Sequence, residues 1–283
     1  MSNRSALLFS SLFLFAAAVY AQDDPTRAIT HISGDLYRFQ NGGHYSVFFV
    51  TQDGILATDP INASAARWLK DAVAERFGQP IRYVVYSHDH ADHIGGGEVF
   101  DDEAIIVAHE NAKETIIGEK RPTAVPEVVF SHRMVIELGG KQAELIYVGR
   151  GHSDNSIVVH FPAERAVFAV DFIPVRSLPY RDLTDAYFPD WIAAVKRVEA
   201  LDFDVLVPGH GPLATKAEAT EFRRYLEALY HAVLSAARAG QSLEEMKQSI
   251  RLDEFSHLGQ YEAWLPLNIE GMYRQVSLHR RGN

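Results

Sequence analysis

The sequence predicts an α/β protein in which two sheets pack face to face and helices cover their outer faces, within one domain. Short β-rich runs dominate residues 32–171, broken by one clear helix. A second helix and a strand follow over 189–209, and beyond Pro212 the pattern is mostly helical. The order strands, helix, strands, helices suits layered sheets covered by helices. Hairpin-like strand neighbours outnumber β-α-β units, which disfavours a doubly wound sheet. With 283 residues, 47% hydrophobic and 23% charged, the chain has material for a substantial core.

Residues 1–21 precede the domain. Arg4, an apolar run from Ala6 to Ala18, and Val19-Tyr20-Ala21 before Gln22 read as a signal peptide cleaved after Ala21. The run falls short of the ~20 apolar residues that span a bilayer. The expectation is a periplasmic or secreted protein without stable membrane insertion; an uncleaved anchor is the alternative. Residues 22–283 then form the domain, with a helical C-terminal part from about residue 215. "ISGDLYRFQ" (32–40) and "HYSVFFVTQDGILATD" (44–59) read as two or three strands, the latter turning at Asp53-Gly54. "NASAARWLKDAVAERFG" (62–78) reads as a helix, because Ala66, Leu69, Val73 and Phe77 recur at helical spacing and Gly78 can end it. "IRYVVYS" (81–87) and "AIIVA" (104–108) are strands. The second β-rich half holds strands at 127–130, 133–138, 143–149, 156–161 and 166–171. An amphipathic helix at 189–201, a strand at 204–209 and helices at roughly 215–239, 242–250 and 262–278 complete the chain.

A net charge of -10 argues against a nucleic-acid partner, because phosphate backbones select basic surfaces. A small molecule is the expected partner. The absence of cysteine removes disulfides, thiolate ligands and a Cys nucleophile together. Any metal must be held by histidine and carboxylate.

Four β-runs end in such groups. Strand 81–87 runs into "SHDHADHIGG", with His88, His90, Asp92 and His93. Strand 143–149 leads to His152, strand 166–170 to Asp171, and strand 204–207 to His210 in "PGHGP". Ligands at strand ends can converge at one edge of a sandwich on rigid supports. Gly151, Gly209 and Gly211 allow the backbone to turn closely around them. In an extended segment His88 and His90 point the same way and Asp89 turns away, to solvent or to support a ligand. Asp92 and His93, as neighbours, would point differently and suit a second metal. Ile94-Gly95-Gly96 is expected to open a helix. The remaining histidines read as ordinary core or surface residues, except that His44 in the "NGGHY" loop could flank a pocket. A polar cluster at the end of an apolar strand needs compensation, and a metal supplies it.

"HDHADHIGG", "GRGHSDNS", "FAVD" and "VPGHGP", in this order, resemble the metallo-β-lactamase superfamily of hydrolases. The resemblance covers most of the chain. It implies a four-layer αββα sandwich and a binuclear site holding two Zn²⁺, with iron or manganese also compatible with an all N/O donor set. His88, His90 and His152 would hold one metal and Asp92, His93 and His210 the other, with Asp171 bridging. Asp59 in "ATDP" looks like the family's aspartate that orients a ligand histidine from behind; a turn residue before Pro60 is the other reading. Zinc lowers the pKa of bound water to about 7, so hydroxide is available to attack a carbonyl or phosphoryl centre. Asp92 could orient that nucleophile or relay its proton, and Asn155 could polarise a carbonyl or simply form a turn.

Two departures bear on the substrate. The best-known zinc β-lactamases carry cysteine where this chain has Asp171, and a substrate-gripping lysine where it has Pro174. Arg176 could substitute as an anion contact or be a solvated loop charge. A bridging aspartate resembles members that cleave thioesters, lactones and phosphoesters. Loop 172–190 is expected to wall the pocket, with Phe172, Arg176, Tyr180 and Tyr187 as candidates. The expected activity is cleavage of a small-molecule amide or ester bond, of the β-lactam or lactone class. A phosphodiester or thioester hydrolase, or a non-catalytic metal-binding accessory protein, is the alternative.

Overall fold

The computed structural model describes residues 25–278, and the expected signal peptide lies outside them. The first sheet runs β1 (Arg27–Ser33), β2 (Leu36–Asn41), β3 (His44–Thr51), β4 (Gly54–Thr58), β5 (Ile81–Val85), β6 (Ile105–His109) and β7 (Val128–Phe130), in that spatial order. Strands β1–β4 pair antiparallel, and β4–β7 pair parallel. The second sheet contains β8 (Arg133–Leu138), β9 (Lys141–Ile146), β10 (Val158–Phe161), β11 (Ala166–Phe168) and β12 (Val205–Val207). It is antiparallel except for the β11–β12 pair.

Period-two alternation sorts the side chains into layers. In β4, Leu56 faces the space between the sheets, while Ile55 and Ala57 face the helices outside. In β10, Val159 points between the sheets and Val158 outward. The outer face of the first sheet is covered by α1 (Ala63–Phe77), which buries Ala65, Ala66, Leu69 and Val73. Asn62 caps α1 by accepting from Ser64 and Ala65 N–H, and Gly78 ends it in the left-handed region. The second sheet is covered by α4 (Asp190–Glu199), α5 (Lys216–Arg238), α6 (Leu243–Ser249) and α7 (Tyr261–Leu278). These layers are the αββα sandwich.

Three details differ from the sequence reading. Segment 32–40 is not one strand, because Gly34 turns at φ 54° and separates β1 from β2. A helix, α3 (Glu110–Gly118), was not foreseen; its nine residues bury only Ala112 and Ile116, too few to set a period. The glycines after His93 open only a short 3-10 turn, Gly97–Val99, with Gly96 at its N-cap. A single turn, α2 (Ala91–Ile94), precedes them, and Gly95 ends it. That turn brings Asp92 and His93 round to the same centre.

Candidate metal centre

The ends of β5, β9, β11 and β12 meet at one edge of the sandwich. His88, His90, His152 and Asp171 each offer a ligand atom, all within 4.8 Å of one another. Asp92, His93, Asp171 and His210 form a second such group, so Asp171 belongs to both. Asp171 Oδ2 lies 3.2 Å from His93 Nε2 and 3.9 Å from the Nε2 of both His88 and His152. Its Oδ1 lies 3.4 Å from His210 Nε2. Asp92 Oδ2 is 3.6 Å from both His93 and His210 Nε2.

Neighbours fix the rings. Asp59, fully buried with φ 30°, accepts from the Ser87 N–H at 2.8 Å and the Ser87 hydroxyl at 2.7 Å. Ser87 Oγ lies 2.9 Å from His88 Nδ1. A hydroxyl that donates to Asp59 accepts from Nδ1–H, which leaves the Nε2 lone pair facing the site. Asp59 Oδ2 also lies 3.4 Å from His93 Nδ1. His210 Nδ1 donates to the Gly43 carbonyl at 3.1 Å, and the Tyr45 N–H donates to the Gly209 carbonyl at 2.8 Å. These bonds pin the His210 loop of the second sheet to β3 of the first. Gly209 has no room for a side chain: a Cβ there would sit 2.8 Å from His93 Cε1 and 3.0 Å from Asp171 Oδ1. At Gly96, φ is 86° and a Cβ would fall 2.4 Å from the Ala63 nitrogen.

Buried polar atoms without partners show what the cluster is built for. His88 Nε2, His93 Nε2 and Asp171 Oδ1 are buried and make no hydrogen bond. Such orphans are costly unless a ligand satisfies them, and divalent ions fit a donor set of imidazole nitrogens and carboxylate oxygens. Burial pushes His88 well below the ordinary histidine range and His152 down to about 4, so both are neutral donors. Burial would raise the Asp171 carboxyl, but the adjacent His93 outweighs it and holds Asp171 far below the usual carboxylate range. Burial likewise opposes charge on His93, yet Asp171 and Asp59 raise its pKa well above the ordinary value. Asp92 also stays ionised against burial, through His210 and His44.

Beside the cluster lies a cavity of about 730 Å³. His90, Asp92, His152, Asp171 and His210 form its floor, and loop 173–186 and Trp264 of α7 contribute its wall. Of the loop residues named from sequence, only Tyr180 lines it. Phe172 is buried in the core, where its carbonyl accepts from Trp191 Nε1. Arg176 points to Glu218 at 3.3 Å, and Tyr187 lines a smaller neighbouring cavity of about 440 Å³.

Asn155 does not face the floor of the larger cavity. Its Nδ2 donates to Asp89 Oδ1 at 2.8 Å, and its Oδ1 accepts from the Asp89 N–H at 3.0 Å. Those bonds clamp the His88–His90 segment from behind, a structural duty in place of the expected carbonyl polarisation. Asp89 is correspondingly buried, not solvent-facing, and also binds Arg121 at 3.0 Å. Two further residues adjoin the seven expected ligands. His44 Nε2 lies 3.3 Å from Asp92 Oδ2, and its ring packs 4.6 Å from His210. Asp185 Oδ2 lies 3.4 Å from His90 Nε2. The "NGGHY" loop signalled His44; nothing in the sequence signalled Asp185.

Comparison with known proteins adds four findings. The pattern of the metallo-beta-lactamase superfamily matches residues 61–210. The chain is 26% identical over 226 residues to the 2,4-dinitroanisole O-demethylase subunit alpha of a Nocardioides species, covering 78% of this chain and 69% of that protein. It is 24% identical over 225 residues to a metallo-beta-lactamase type 2 of Elizabethkingia meningoseptica, covering 74% and 89%. Among solved structures, a metallo-beta-lactamase from Pontibacter korlensis superposes with a TM-score of 0.64 at 22% identity, over 71% of this chain and 99% of that one.

Proposed function

The chain belongs to the metallo-β-lactamase superfamily, and from that premise we propose that it is an exported, binuclear hydrolase of small-molecule amide or ester bonds. The superfamily relatives make it a metal-dependent hydrolase. The observation that carries the binuclear reading is Asp171, shared by two four-residue groups around orphaned buried atoms. His88, His90 and His152 would hold one ion and Asp92, His93 and His210 the other. Bound there, divalent ions would lower the pKa of water and polarise the scissile carbonyl.

The chain's own residues do the rest. Asp59, through Ser87, keeps the lone pair of His88 Nε2 on the site side. Asp92 stays ionised, so it can accept a hydrogen bond from the attacking water, orient it and pass its proton on. The wall residues seat the substrate body and exclude water from the floor. A relative named for O-demethylation of 2,4-dinitroanisole supports a reach beyond β-lactams to other small neutral compounds. Cleavage after Ala21, with zinc as the native metal, completes the proposal.

One panel tests it. Metal-analysed protein is offered a chromogenic cephalosporin, an aliphatic lactone, a thioester and a nitrophenyl phosphodiester, with and without chelator. Two equivalents of metal and chelator-sensitive turnover of the cephalosporin or lactone are expected. Turnover of the phosphodiester alone, or of nothing, overturns the reading. The N-terminal residue of the exported protein checks the cleavage.

A further inference from the structure

We infer that the cavity selects electrically neutral, apolar substrates and discriminates against those carrying a carboxylate. The inference rests on the hydrolase reading and names the substrate class of the same site.

The wall is apolar where a substrate body would lie. Ile173, Val175, Leu178, Leu183 and Trp264 line it, and Tyr180 meets Trp264 edge to face at 5.3 Å between ring centres. The charged groups of the wall are both acids. Asp182 and Asp185 line the wall while Asp92 and Asp171 lie on the floor, and among the described residues no lysine or arginine lines the cavity. Pro174 also lines the wall, at a position from which a longer side chain could carry a charge there. The guanidinium groups nearby are engaged. Arg176 meets Glu218 at 3.3 Å, and Arg274 donates to the Asp182 carbonyl at 2.7 Å. Arg181 lies over the Tyr180 ring at 5.0 Å but outside the lining. In the smaller adjoining cavity, Arg121 meets Asp89 and Glu119, and Arg150 meets Asp190.

A substrate carboxylate would therefore lose its water without gaining a free cation on the wall, where Arg274 is already paired with the Asp182 carboxylate at 3.3 Å, and it would face Asp185. Burial of a charge without a partner is strongly unfavourable, whereas an uncharged ring or chain gains by covering this wall. Volume sets the second limit, since about 730 Å³ holds a drug-sized body.

Matched pairs test the inference. The first is a chromogenic cephalosporin as its free acid and as its methyl ester. The second is nitrophenyl hexanoate and the same ester with a carboxylate at the chain end. Binding is followed by quenching of tryptophan fluorescence, since Trp191 and Trp264 line the cavity, and turnover is followed in parallel. The neutral member of each pair should bind and turn over better, with kcat/KM higher by about 100-fold, the scale of one mismatched polar group. Pro174→Lys should narrow that gap about tenfold, by supplying the missing cation. Equal or tighter binding of the acids overturns the inference even if all four compounds are hydrolysed. If none is hydrolysed but the neutral members bind more tightly, selectivity stands and the hydrolase reading falls.

Discussion

The floor and the wall of the cavity are held by different parts of the chain. On the floor, each ligand sits within a few residues of a strand: His88 after β5, Asp171 after β11, His210 after β12. Their supports, Asp59 and the Gly43 carbonyl, follow or precede strands of the first sheet. The wall is loop 173–186, which has no regular structure and depends on distant tethers. Buried Asn268 of α7 donates to the Pro179 and Arg181 carbonyls at 3.0 and 2.5 Å, and accepts from the Tyr225 hydroxyl at 2.6 Å. Gly271 packs against the loop so closely that a Cβ would fall 2.0 Å from the Asp182 carbonyl oxygen. The floor thus inherits the rigidity of the sandwich, while the wall borrows its shape from a helix some 90 residues away. Chemistry and selectivity should therefore be separable by mutation.

The sharpest break is on the floor. Asp171→Asn should lower kcat/KM by about 1,000-fold or more and reduce bound metal below two equivalents, because both groups lose their shared carboxylate. Metal analysis with kinetics on one preparation checks it. Asp92→Asn should cost about 100-fold in turnover with the fold intact, on the scale of a lost proton-transfer group; circular dichroism and a rate assay decide. If it turns over normally, Asp92 has no catalytic part.

The wall should respond otherwise. Asn268→Ala leaves the Pro179 and Arg181 carbonyls unsatisfied and should destabilise the fold by about 2 kcal/mol. KM should rise while metal content stays unchanged, a split visible in denaturant melts and substrate titrations. A fall in metal content instead would show that wall and floor are mechanically coupled.

Two smaller effects sharpen the picture. Without metal, His93 and His210 keep their protons above the ordinary histidine range. Binding must displace those protons, so metal affinity should rise with pH through neutrality and protons should be released. Calorimetry in buffers of different ionisation enthalpy measures the release. His44→Ala removes a neighbour of Asp92 and should weaken one metal equivalent about tenfold, leaving the other unchanged. Competition with a chromophoric chelator reads the two equivalents apart.

This division also explains what could be read in the sequence. The seven proposed ligands stand in short motifs after apolar strands, so strand propensity and ligand chemistry mark them together. The layers followed from the order of elements, strands, helix, strands, helices, and from the family resemblance; in Ile55, Leu56 and Ala57, all apolar, only the fold shows which side chain faces which layer. Asp185 was invisible because its partner His90 is brought to it only by the tertiary fold. Asn155 misled for the opposite reason. Its position after His152 invited a catalytic role, while its bonds to Asp89 are set across two sheets. Arg176 was plausible as an anion contact until Glu218, 42 residues away, took its charge. Pairings of that range depend on where helices dock, which local patterns do not encode.

The ligands come from both sheets. His88 to His93 belong to the first, while His152, Asp171 and His210 belong to the second. In a chain without cysteine, ions held there would act as a reversible cross-link between the halves of the sandwich, closing long loops as a disulfide would. Stability then becomes a property of the surroundings as well as of the chain: the thermal midpoint should climb with free metal concentration, as mass action requires. A metal-poor environment would silence such a protein and at the same time loosen the seam that keeps its two sheets together.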